Sequence, residues 1–173
     1  AVIEVAGGEP VISKNQIFAS KGMGITIFAG NPAISANTIS GCEIYGLWFS
    51  GSTRGKVSQN TIRQSGKSGI GIKAGAAPEI VGNDISGNGE NGMLIYAAGA
   101  GKIEGNRISG NNLAGIEVWD AQPSSILNNS IENNKKDAIF IRGKAARVRL
   151  GQNKFSGNRG EEVKNSGGQI IPF

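Results

Sequence analysis

Two stretches decide the fold: Ile80-Val81-Gly82-Asn83-Asp84-Ile85-Ser86-Gly87-Asn88 and Lys102-Ile103-Glu104-Gly105-Asn106-Arg107-Ile108-Ser109-Gly110-Asn111. With Asn83 laid over Asn106, they share an aliphatic three residues before the Asn, an Ile two after it and another Asn five after it. Carried outward, the register finds Asn-x-Ile at Asn15, Asn37, Asn60, Asn83, Asn106 and Asn129, at spacings of 22, 23, 23, 23 and 23. Asn153-x-Phe155 follows after 24. The leading aliphatics are Ile12, Ile34, Val57, Ile80, Ile103, Ile126 and Leu150, and alternation through the Asn to the next Ile predicts a first strand region. Eight residues beyond each Ile comes a second apolar pair: Ile25-x-Ile27, Leu47-x-Phe49, Ile70-x-Ile72, Met93-x-Ile95, Ile116-x-Val118 and Ile139-x-Ile141. Gly precedes the first five pairs and Ala138 the sixth.

Each unit supplies two or three short strands and is too small to bury its own apolar side. Stacking solves this, since like residues then lie over like residues about 4.8 Å apart, and the backbones pair as long parallel sheets. The expectation is an all-β parallel β-helix, a solenoid of about seven coils of 22–24 residues and about 34 Å long. A leucine-rich horseshoe needs a Leu-rich strand signature, and a propeller needs a period near 40 or more. The composition agrees: 28 Gly, 17 Asn and 23 Ile in 173 residues exceed the usual share of Gly without a collagen period, and contain too much Ile for disorder.

One domain is expected over 1–173, as a fragment of a longer protein with further domains, because Ile3-x-Val5 starts in mid-coil. Residues 159–173 read as a terminal partial coil and cap, with Ile170, Ile171 and Phe173 covering the last coil. The asparagines are either loop residues tolerant of left-handed backbone or an internal ladder of amides bonded between coils. The ladder is favoured for Asn15, Asn37, Asn60, Asn83, Asn106, Asn129 and Asn153. A second column, Asn88, Asn111, Asn134 and Asn158, has Cys42 in its place in an earlier coil, which makes Cys42 inward and structural.

The quoted phrases resemble the PbH1 repeats of right-handed parallel β-helices, in particular the carbohydrate-binding and sugar-hydrolase (CASH) type with a pectate-lyase-like fold. The right-handed winding is what the resemblance implies, in agreement with the preferred hand of parallel crossovers. The resemblance also brings in pectate lyases and alginate epimerases. The epimerases of this family rely on an Asp-Pro-His type motif, and this chain has no histidine and no Asp-Pro. Lyases hold calcium with clustered acids, and related hydrolases use close carboxylates; no repeated Asp pair occurs here. Glu79 and Lys102, one coil apart, read as an exposed cross-strand ion pair. No cofactor and no metal is expected.

The outward residues after the second pair align as Phe28, Ser50, Lys73, Tyr96, Trp119 and Arg142, with Trp48, Glu117, Phe140 and Asp120 beside them. Aromatics with both charge signs suit sugar rings or a peptide, though such rings also serve simply to stabilise an exposed sheet. The candidate ligand-binding set is Trp48, Lys73, Tyr96, Glu117, Trp119, Asp120, Phe140 and Arg142. Arg54, Lys56 and Arg107 would extend it if their corners converge. The net charge of +5 is dilute, so a nucleic-acid partner is not expected, and no window is long and apolar enough for membrane insertion. The reading is a non-enzymatic binding or scaffold module recognising a polysaccharide or a protein or peptide ligand on its side face. The alternative is a polysaccharide lyase or glycoside hydrolase. An extracellular or periplasmic location is favoured over a cytoplasmic one.

Overall fold

The structure is a computed structural model that describes every residue except Ser124 and Phe173. Among the described residues all regular structure is strand, wound as a right-handed parallel β-helix of about seven coils. Each coil contributes to three sheets. Sheet A has eight strands, from Ile3–Ala6 to Val163–Ser166; sheet B has seven, from Val11–Ser13 to Leu150–Gly151; sheet C has seven, from Gln16–Phe18 to Lys154–Ser156. A fourth pairing sets Gln169–Ile170 beside Arg147–Val148. All pairs are parallel and, apart from a shift between Val5 and Ala6, keep the register of the sequence repeat, for example Ile80 beside both Val57 and Ile103.

The inward columns are the repeat's aliphatics. Ile34, Val57, Ile80, Ile103 and Ile126 on sheet B and Ile39, Ile62, Ile85, Ile108 and Ile131 on sheet C are fully buried. So are Ile25, Leu47, Ile70, Met93, Ile116 and Ile139 on sheet A. The glycines before five of the sheet A strands pack tightly against the next coil: a Cβ on Gly92 would meet Ile108 Cγ2 at 2.4 Å and the Gly115 carbonyl at 2.6 Å. Cys42 is buried in the second column, as expected.

The expected strand through the Asn is instead two strands meeting at a corner. The residue before each ladder Asn has positive φ: Lys14, Ala36, Gln59, Gly82, Gly105, Asn128 and Gln152. A straight strand would put residues three apart, such as Ile12 and Asn15, on opposite faces; one left-handed residue resets the alternation so that both point inward. The same device precedes the second column, at Ala19, Gly41, Gln64, Gly87, Gly110, Asn133 and Gly157.

The corners are held by the ladder. Asn106 Oδ1 accepts both the backbone N–H of Asn83 (2.9 Å) and its Nδ2 (3.0 Å), while Asn106 Nδ2 donates to Asn129 Oδ1 (3.0 Å) and to the Ile80 carbonyl (2.9 Å). One amide thus makes four hydrogen bonds over three coils. The pattern repeats from Asn15 to Asn153. The second ladder links Asn88, Asn111, Asn134 and Asn158. It stops below Asn88, which accepts the N–H of Ser65 at 3.0 Å, and there the column continues as buried Ser65, Cys42 and Ser20.

One other expectation changes. Glu79 and Lys102 are cross-strand neighbours, but the Lys102 ammonium binds Glu104, two residues along its own strand, at 2.7 Å. Neighbouring side chains on one face of a strand can outcompete the partner across the ladder. The 24-residue step splits sheet B's last strand at exposed Arg149, leaving Arg147–Val148 and Leu150–Gly151. At the chain end the Ile171 N–H donates to the Val148 carbonyl and Ile170 is 45% exposed; Phe173 lies outside the described residues.

Asn106→Leu removes the acceptor for two Asn83 donors and the donor to Ile80, leaving buried groups unpaired at about 1–3 kcal/mol each. The expected loss in urea unfolding is roughly 3 kcal/mol or more, against under about 1 kcal/mol for Asn15→Leu, whose residue is exposed. The left-handed corners give a second comparison. A Cβ on Gly82 meets nothing within 4 Å, so Gly82→Ala isolates the backbone strain of φ 66°. It should destabilise by about 1 kcal/mol, and Gln59→Gly, at φ 56°, should stabilise by a similar amount in the same assay.

Candidate functional site

The outward side of sheet A carries the irregular residues. Its register aligns Lys73, Tyr96, Trp119 and Arg142 in one column, and Trp48, Gly71, Leu94, Glu117 and Phe140 in the column beside it. Parallel strands stack these side chains along the long axis, so aromatic residues contact each other directly. Tyr96 and Trp119 stack with an interplanar angle of 20° and centroids 6.4 Å apart, and the Arg142 guanidinium lies 3.9 Å from the Trp119 ring centroid.

Trp48 is outward in register yet only 8% exposed. Gly71 is the reason. A Cβ there would stand 2.6 Å from the indole, so its absence lets Trp48 lie flat across the next strand. Tyr45 (4.6 Å), Tyr96 (6.2 Å) and the Lys73 ammonium (5.1 Å) close over it. Burial pushes the Tyr45 phenol from its ordinary 10 up to about 12, helped by Tyr96, Glu90 and Glu117, and burial raises Tyr96 as well.

Glu117 is also buried. Its Oε1 accepts Arg142 Nε at 2.6 Å and its Oε2 accepts Asn91 Nδ2 at 2.8 Å. Asn91 belongs to the corner before sheet A, where side chains bond the next coil's backbone: Ser68 Oγ accepts the Asn91 N–H, Asn91 Oδ1 accepts the Ala114 N–H, and Asp137 Oδ1 accepts the Glu161 N–H. Asp120 turns away from the strand and accepts the Ala145 N–H at 3.0 Å. Next to Glu117 lies a cleft of about 250 Å³ lined by Asn91, Leu113, Glu117, Lys136, Phe140 and Lys164. Lys164 stands 5.7 Å from the Phe140 ring centroid.

The structure therefore brings Trp48, Lys73, Tyr96, Glu117, Trp119, Phe140 and Arg142 onto one face, with Asp120 at its corner. Arg107 is not on it. It sits on sheet C between Asp84 (3.7 Å) and Glu132 (3.6 Å). Lys56 is on sheet B, where it lines a separate shallow groove with Arg54, Glu9 and Glu79. Sequence reasoning missed Tyr45, Asn91, Lys136 and Lys164. Tyr45 and Asn91 stand three residues before the middle position of their strand, so writing out the corner column Met23, Tyr45, Ser68, Asn91, Ala114, Asp137 would have shown them. Among the described residues no group of three or more His, Cys, Asp or Glu is placed to hold a metal ion.

The chain belongs to the right-handed β-helix family: residues 24–171 match the model of the right-handed β-helix region. Its architecture is similar to crystal structures of the periplasmic alginate epimerase AlgG. A double-mutant form superposes with a TM-score of 0.77 at 15% identity, over 94% of this chain and 51% of that one. Another AlgG structure gives 0.70 at 14% identity, over 90% and 44%. The chain thus spans about half the length of the epimerase chains it matches, and at this identity the likeness is one of fold. Comparison with curated protein sequences finds no match.

Because the folded Tyr45 pKa is raised above the ordinary value, its burial contributes stability below pH 10 that is lost as pH rises from 10 through about 12. Alkaline ultraviolet titration should show Tyr45 ionising near 12 rather than 10, and Tyr45→Phe should flatten the fall in stability over that window.

Proposed function

We propose that the protein is a non-enzymatic β-helical module that binds a carbohydrate chain along the outward face of sheet A. The observation that carries this reading is the cleft beside Glu117, where Phe140 and Leu113 supply apolar contact and Asn91, Lys136 and Lys164 supply polar groups. Its volume of about 250 Å³ is below that of a typical closed ligand pocket, suiting one unit of a chain whose remainder lies along the open sheet. The aromatic column contributes rigidity more than ring faces, since Tyr96, Trp119 and Arg142 occupy each other's faces. The likeness to a polysaccharide-acting epimerase favours a carbohydrate over a protein ligand, and its periplasmic setting favours a location outside the cytoplasm.

Binding is preferred to turnover because the carboxylates of this face are engaged: Glu117 by Arg142 and Asn91, Asp120 by Ala145, Asp137 by Glu161. A general acid or base needs a carboxyl within reach of the reacting bond, and these are held by other groups. The lyase or hydrolase reading would be favoured instead by release of unsaturated or reducing ends from polyuronates. The test is a glycan array followed by calorimetry on native protein, Trp119→Ala, Phe140→Ala and, as a control on another face, Arg107→Ala. Captured oligosaccharides should bind about tenfold or more weakly to the first two variants and unchanged to the third. Equal binding by all four proteins would remove sheet A as the site.

A further inference from the structure

The cavities on the side of the rod differ in the charge that lines them. The sheet A cleft sets Glu117 and Asp137 against Lys136 and Lys164, and the shallow groove on sheet B sets Glu9 and Glu79 against Arg54 and Lys56. A third cavity, of about 370 Å³, lies further along sheet B and is lined by Gln122, Pro123, Arg147, Arg149 and Ile171. It brings together two guanidinium groups and no acid.

The sheet register explains the imbalance. In the middle coils Glu79 stands between Lys56 and Lys102, so the outward charges of sheet B alternate in sign. Ile126 pairs with Leu150, which puts Ser125 rather than a carboxylate beside Arg149. Arg147 pairs with Gln169, again a neutral neighbour. Val148 between the two arginines is buried, so both point outward, and both are exposed. Among the described residues neither takes part in an ion pair. The acids of the same turn, Glu161 and Glu162, stand at the corner between sheets C and A, after Lys154–Ser156 and before Val163–Ser166.

Two guanidinium groups in one concavity supply two positive charges and a surplus of N–H donors. A carboxylate has one charge and two oxygens, which a single arginine satisfies. The pair is matched instead by a phosphate group with one or no ester bond, which carries a charge of about −1.5 to −2 at pH 7 and at least three acceptor oxygens.

We propose that Arg147 and Arg149 form a second binding site, independent of the sheet A face, for a phosphate group in its dianionic form. A soluble phosphate and the headgroup of phosphatidic acid present the same chemistry, and the position of the cavity on an open side of the rod admits both.

Calorimetry with inorganic phosphate, and flotation with phosphatidylcholine vesicles containing phosphatidic acid, read the two sources separately. Replacing both residues, Arg147→Gln with Arg149→Gln, should weaken the bound probe about tenfold or more. Arg63→Gln, which removes the same charge from an exposed position on sheet C, should leave it unchanged. The chain has no histidine and the cavity no carboxyl group, so a change of affinity between about pH 7.5 and about pH 5 reports the ligand; binding should weaken as phosphate passes through its second pKa near 6. Vesicle binding that requires phosphatidic acid, is not reproduced by the singly charged diester phosphatidylglycerol, and is lost in the double variant assigns the site to a headgroup. Phosphate binding without vesicle binding assigns it to a soluble ligand. Thermal unfolding of each variant reports on the fold. Binding of neither probe, an equal loss in Arg63→Gln, or an affinity that does not change down to about pH 5 overturns the proposal and leaves the sheet A reading untouched.

Discussion

A buried amide must satisfy two donors and an acceptor oxygen with two lone pairs, and for the ladder of this protein most of the partners lie one coil away. That constraint organises the molecule. Because Asn106 bonds Asn83, Asn129 and the Ile80 carbonyl together, three successive coils are locked in one register, and a slip by one residue would strand every amide of the column. The Ile columns supply the larger apolar driving force but accept many registers; the amides accept one. The left-handed residue before each Asn is the backbone counterpart, turning the chain so that the amide points inward.

With register fixed, the outside of sheet A is an array whose rows the sequence is free to fill. Several rows carry an aromatic, and local chemistry follows from the stacking. Gly71 beside Trp48 lets an indole lie flat, Trp119 over Tyr96 makes a ring stack, and Glu117 between Asn91 and Arg142 makes a fixed charge pair. A buried ion pair of this kind contributes little net stability, since desolvation opposes the Coulomb attraction, but it does define where a cation stands. The rigid coils thereby convert a periodic scaffold into a pre-oriented surface, and pre-orientation lowers the ordering cost of binding.

The architecture was legible in the sequence because the physical demand recurs: seven Asn-x-aromatic-or-aliphatic units and their apolar pairs give the sheets, the ladder and the inward Cys42. What was not legible arises where side chains choose between neighbours. The left-handed residue of each corner is hidden because Lys14, Ala36 and Gln59 occupy it as well as Gly82. Lys102 takes Glu104 rather than Glu79, a choice of rotamer that spacing cannot express. Trp48 and Glu117 are outward by register yet buried, because exposure there depends on what the adjacent corner adds. Tyr45 and Asn91 come from those corners, and their part in the face follows only from the three-dimensional closeness of corner and strand.

The Asn ladder, rather than apolar burial alone, holds the coils in register. Native-state hydrogen exchange of the ladder backbone amides tests it most directly, since the N–H groups of Asn37, Asn60, Asn83 and Asn106 each donate to the Oδ1 of the next Asn at 2.9 Å. They should exchange only through global unfolding, with protection equal to that of the sheet cores. Exchange of these amides by local opening, well ahead of the sheet A strands, would contradict the claim and return the register to the Ile columns.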